Sequence, residues 1–115
     1  MRDDQERLRH ILEAIERIQR YFVDGEENFH QQELLQTWMV HNLTIIGEAA
    51  RSLSAEFRHS NLEVPWVEII GMRHILVHDY FEIDLEILWQ VLEKDLPPLE
   101  AQIRNLLNQD ESHLR

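Results

Sequence analysis

Apolar residues recur along most of this chain at intervals of three and four, the period of a helix with one buried stripe. Over residues 4–23 they are Leu8, Ile11, Leu12, Ile15, Ile18 and Phe22. Asp3 or Asp4 offers a capping carboxylate at the start, and Asp24-Gly25 a stop. A second, long helix is predicted over residues 30–57. Its inner face is Leu34, Leu35, Trp38, Met39, Asn42, Ile45, Ile46, Ala49, Leu53 and Phe57. Gly47, Ala49 and Ala50 near its centre are small enough for a close helix crossing. A mid-helix glycine costs about 1 kcal/mol against alanine, and packing is expected to offset that. Residues 59–64 read as a loop.

Pro65 suits the first position of a third helix, with Trp66, Ile69 and Ile70 on one face. Gly71 is expected to kink or break it before a further stretch, 72–81. Asp84 can cap a helix over 85–95, with Leu85, Leu88, Trp89 and Leu92 inward. Pro97-Pro98 is expected to bend or interrupt the chain. A last helix, 98–108, carries Leu99, Ile103, Leu106 and Leu107, and residues 109–115 are expected to fray. The pattern predicts an all-α antiparallel bundle of about five or six helices, as a single domain over residues 1–115.

Composition narrows the classes. A 43% apolar fraction argues against disorder, and three Gly and three Pro argue against a turn-rich β fold. The absence of cysteine excludes disulfides and thiolate metal sites. No apolar run is long enough for a transmembrane helix. The first residues lack the apolar core of a signal peptide, so a cytoplasmic protein without membrane association is expected. Acidic side chains number 22 and basic ones 11, a net charge of −11. No segment is basic, which excludes a salt-driven, nonspecific nucleic-acid binder. Any nucleic-acid contact must be local and built from a few arginines.

Seven histidines are many for this length. His10, His30, His41, His59 and His113 are scattered and read as surface or partly buried structural residues. His74 and His78 fall together in GMRHILVHDYF, residues 71–81, with Arg73, Asp79 and Tyr80. This segment has three readings. On one helix, His74 and His78 have metal-ligand spacing, with Asp79 or Glu82 as a third ligand. Alternatively, Arg73 and His78 serve phosphodiester chemistry. An imidazole, with an ordinary pKa of about 6.5, passes a proton at neutral pH, and a guanidinium holds a phosphate bidentately. Such a pair can cleave RNA without a metal, because the 2′-hydroxyl is a built-in nucleophile. On an ideal helix Arg73 and His78 stand about 140° apart, and Arg73 and Tyr80 about 20° apart. Convergence then needs a distorted helix or a second subunit across a two-fold axis. The third reading is a plain helix with a surface arginine and a satisfied histidine.

The segment Arg73-His74-Ile-Leu-Val-His78-Asp79-Tyr80 resembles the R-x4-H-x-Y signature of HepT-like toxins in the HEPN superfamily. IIGEAARSLS (45–54), PWVEIIGMRH (65–74), HDYFEID (78–84), DLPPLEAQI (95–103) and the opening D-x-x-RLRHILEAIERI are similar to that family's segments, so the resemblance covers residues 3–107. It implies a HEPN-like bundle that forms a homodimer with its active site at the interface. It also implies a metal-independent endoribonuclease, the toxin of a toxin–antitoxin system, needing no cofactor. Arg73 and His78 would be catalytic, and His74, where relatives carry Asn or Asp, would be auxiliary. The implied partners are substrate RNA and a cognate minimal nucleotidyltransferase antitoxin (MntA-like). That antitoxin would silence the toxin by AMPylation of Tyr80, placing a phosphate on the Arg73 side of the motif. Arg51 and Arg58, seven apart on the second predicted helix, are candidates for widening an RNA surface. Glu48 either orients Arg73 or Arg51 by an ion pair and so supports the site, or simply pairs at i+3 with Arg51. Set against this is a non-catalytic module of the same fold that binds a nucleotide or a partner protein.

Overall fold

The computed structural model describes residues 2–22, 25–77 and 82–113. The chain is all-α. Helix α1 is Arg2–Tyr21, α2 Gly25–Gln31, α3 Glu33–Arg51, α4 Ala55–Ser60, α5 Trp66–Leu76 and α6 Leu85–Gln90. A π-helical turn, Val91–Asp95, joins α6 to α7, Leu96–His113. Among the described residues, extended pairing is limited to one antiparallel bridge, Val77 with Ile83.

The stripe read from the sequence makes the core. Leu8, Ile11, Ile15 and Ile18 of α1 are buried against Met39, Leu43, Ile46 and Ala50 of α3 and Leu99 and Ile103 of α7. Each such side chain contributes about 1.5–3 kcal/mol by leaving water. The α3–α5 crossing is close because of Gly47. A Cβ there would lie 3.1 Å from the Ile69 carbonyl oxygen. Trp66 is buried, and its indole N–H donates to the Asn61 carbonyl at 3.0 Å. Trp89 packs on Phe22 and Phe29, at 4.9 and 5.3 Å between ring centres. Arg104 ties α7 to α1 through Glu16 and is also bonded to Glu100, whose hydrogen bond raises the guanidinium pKa.

The predicted helix over 30–57 is three helices. Gln32 is extended and divides α2 from α3. The side chain of Gln36 makes the break tolerable: it donates to the carbonyls of Phe29 and His30, at 3.0 and 3.2 Å, at the end of α2. Leu34, expected on the inner face, is 87% exposed, because the new helix start turns it outward. The second break follows Arg51. Ser54 caps α4 by accepting from the Phe57 N–H at 3.1 Å. Asp4 acts here and not as a cap of its own helix. Its carboxylate accepts from the Ser54 N–H and hydroxyl, both at 2.8 Å. Helix α4 occupies the start of the expected loop.

Gly71 does not end α5, which continues to Leu76. The helical stretch expected over 72–81 stops there, since Val77 is extended. Asp84 caps α6 as expected, accepting from the Ile87 N–H at 3.1 Å. Pro97 and Pro98 do not interrupt the chain. The wider π-helical turn before them takes up the missing amide hydrogens and ring clashes. Helix α7 therefore begins at Leu96 and reaches His113, longer at both ends than the 98–108 expected.

Candidate functional site

Arg73 stands in the last turn of α5, exposed, with no hydrogen bond or ion pair to another described residue. Just beyond it the chain leaves the helix. The Val77 N–H donates to the Arg73 carbonyl at 3.0 Å, and the Asp84 N–H donates to the Leu76 carbonyl at 2.7 Å. With the Val77–Ile83 bridge, these bonds fix the two points between which the second half of the motif runs. His78, Asp79 and Tyr80 themselves lie outside the described residues.

The end of α5 removes two sequence arguments. The 140° separation of Arg73 and His78 assumed one continuous helix, and α5 stops between them. The i, i+4 argument for His74 and His78 assumed the same continuous helix, and α5 ends at Leu76. Among the described residues, no group of three or more His, Asp or Glu side chains is placed to hold a metal ion.

Arg73 lines a cleft of about 940 Å³ between α2, α3, α5 and the strand-like residues around Ile83. His30, Glu33, Thr37, His41, Thr44 and Glu82 share it. His30 is held by Glu26 at 3.3 Å. His41 has no hydrogen bond or ion pair among the described residues, and its ring lies 6.3 Å from that of Trp38. The cleft thus joins a guanidinium, two imidazoles, hydroxyls and carboxylates, a set able to hold a phosphate and move protons. His30 and His41 are the residues that sequence reading set aside as structural. Their spacing carries no signal, because α2 packs on α3 and α3 on α5 only in the tertiary fold.

The other candidates lie elsewhere. His74 is exposed and does not line this cleft. Arg51 and Arg58 do not share a helix face, because α3 ends at Arg51 and Arg58 belongs to α4. Of the two partners considered for Glu48, the structure provides Arg51, at 2.6 Å. Arg58 is half-buried, with its Nε unpartnered among the described residues.

The family model described as "Ribonuclease HepT-like" matches residues 11–106. The chain belongs to the HepT-like family. A "Probable ribonuclease HepT" of Thermococcus cleftensis is 33% identical to this HepT-like chain over 106 residues, 91% of this chain and 96% of that one. A "Putative RNase" of Caldanaerobacter subterraneus subsp. tengcongensis is 39% identical over 104 residues, 90% and 93% of the two chains. A "Gamma-glutamylcyclotransferase and putative RNase" of Methanocaldococcus jannaschii is 40% identical over 103 residues, 89% of this chain. This chain spans 46% of the length of that relative. No solved structure gives a significant match. No helix among the described residues is long and apolar enough to cross a membrane.

Proposed function

We propose that this HepT-like chain is a metal-independent endoribonuclease and the toxin of a toxin–antitoxin pair. The observation that carries the reading is Arg73, unpaired among the described residues, in a cleft with His41 at the point where α5 gives way to the motif's second half. Names of relatives that read "Probable ribonuclease HepT" and "Putative RNase" support the same chemistry.

In this reading Arg73 holds the scissile phosphate and stabilises the charge that builds on it. One imidazole takes the proton of the 2′-hydroxyl. The 2′-oxygen attacks phosphorus, the bond from phosphorus to the 5′-oxygen breaks, and a second imidazole protonates that leaving oxygen. The products are a 2′,3′-cyclic phosphate and a 5′-hydroxyl. His78 is one of the imidazoles and His41 the other, so a single chain holds both the acid and the base. His74 is an auxiliary contact, and Tyr80 positions substrate and accepts AMP from a nucleotidyltransferase antitoxin.

The chain acts as one domain, in the cytoplasm, as a homodimer with the active site near the interface. Half-exposed Ile75, two residues from Arg73, borders an apolar cleft of about 600 Å³ between α5, α6 and α7, and supports pairing on that side. The test is incubation with RNA in EDTA, followed by analysis of the new ends. Cyclic phosphate and 5′-hydroxyl ends are expected. Metal-dependent cutting, or 5′-phosphate ends, would refute the mechanism. Tight nucleotide binding with no cleavage of any RNA would favour the non-catalytic module.

A further inference from the structure

Three rings stand in a row where the end of α1 meets α3. Tyr21, the last residue of α1, meets the Trp38 indole at 5.8 Å between ring centres and 85° between planes. The Trp38 indole lies 6.3 Å from the His41 imidazole, at 38°. His41 in turn lines the Arg73 cleft. The row therefore runs from the end of α1 across α3 to the candidate site.

Trp38 is the fixed member of the row. It is half-buried, and its indole N–H donates to the Arg17 carbonyl at 3.2 Å. Its neighbours are open. Leu34, Trp38 and His41, at i, i+4 and i+7, share one face of α3. Leu34 is 87% exposed, Tyr21 is 52% exposed, and His41 is exposed as well. Large apolar side chains left open around a rigid centre mark a contact surface. Arg20, beside Tyr21 in the last turn of α1, is exposed and has no ion-pair partner among the described residues.

We infer that Tyr21 and Trp38 form a stacking platform for unpaired bases of single-stranded RNA, which extends the Arg73 cleft beyond the nucleotides at the cut. Aromatic rings accept any base, and an arginine beside them meets a backbone phosphate. The ring planes turn by 85° and 38° from one member of the row to the next, so they suit bases splayed apart and not the parallel bases of a duplex. RNA rather than a protein segment fits, because the row is aromatic, has an unpaired arginine at its outer end and leads through His41 to Arg73. The inference rests on the ribonuclease reading and extends it to the length and strandedness of the substrate.

The test is fluorescence anisotropy with labelled 2′-O-methyl RNA, which 2′-hydroxyl attack cannot cut. The probes are a single-stranded hexamer, the same hexamer with every base outside the central dinucleotide removed, and the dinucleotide. Tyr21→Ala is expected to weaken binding of the complete hexamer at least about fivefold, the lower end for the loss of one stacked base. Tyr21→Phe, which keeps the ring, should bind it as wild type does. The abasic hexamer and the dinucleotide should bind wild type and Tyr21→Ala alike, and circular dichroism should show the same fold. Unchanged affinity of Tyr21→Ala for the complete hexamer overturns the inference, and so does an equal loss for all three probes. Unchanged affinity together with a smaller species in sedimentation would assign the patch to a contact between copies of the chain. The ribonuclease reading fails by a different result: Arg73→Ala then binds the dinucleotide as well as wild type does.

Discussion

His41 of α3 and Arg73 of α5 line the same cleft, although neither the helix period nor any motif links them. RNA cleavage in line needs both an acid and a base, and the motif supplies one histidine. If His41 is the second, His41→Ala lowers kcat by about 10²–10⁴, the usual weight of general acid–base catalysis. It also removes one limb of the pH–rate profile while leaving the melting temperature unchanged. An intact bell-shaped profile would show that His41 carries no proton in the reaction.

Tyr80 is the expected point of control. Coexpression with a minimal nucleotidyltransferase and ATP should raise the intact mass by whole AMP units. The gain should vanish in Tyr80→Phe. A gain that persists in Tyr80→Phe would move the modification elsewhere, and no gain at all would leave simple masking by the partner.

The two mid-helix glycines should respond oppositely to alanine. At Gly71 nothing lies within 4 Å of an added Cβ. Gly71→Ala should therefore stabilise the protein by about 0.5–1 kcal/mol through helix propensity. At Gly47 the same Cβ meets a backbone oxygen of α5 at 3.1 Å, and a helix backbone yields poorly. Thermal melts should show a gain for Gly71→Ala and none for Gly47→Ala.

Asp4 joins the start of α1 to the cap of α4 through two bonds to Ser54, and it is 3% exposed. Asp4→Ala takes the acceptor from the partly buried N–H and hydroxyl of Ser54 and should cost about 1–3 kcal/mol. Urea unfolding measures this directly. A change below about 0.5 kcal/mol, the range of ordinary surface substitutions, would mean that water replaces the carboxylate.

The sequence pattern was a good guide to what helices bury and a poor one to where they stop. The α1 stripe, the Asp84 cap and the close crossing at Gly47 all follow from residue type and period. The breaks at Gln32 and after Arg51 depend on Gln36 and Asp4, polar side chains that act across the turn or from a distant helix. Period alone cannot show such partners. The end of α5 at Leu76 interrupts an apolar run, Ile75-Leu76-Val77, that is equally compatible with helix and strand. Arg73 was singled out by its motif, but its neighbours His30 and His41 became visible only through packing.

In the proposed mechanism Arg73 and His78 cleave RNA. The most direct test is the single-turnover rate of RNA cleavage in EDTA for wild type, Arg73→Ala and His78→Ala. Both exposed Arg73 and the motif histidine should be removable without unfolding, which circular dichroism verifies. A loss of at least about 10²-fold is expected in each variant. Wild-type rates in both would contradict it.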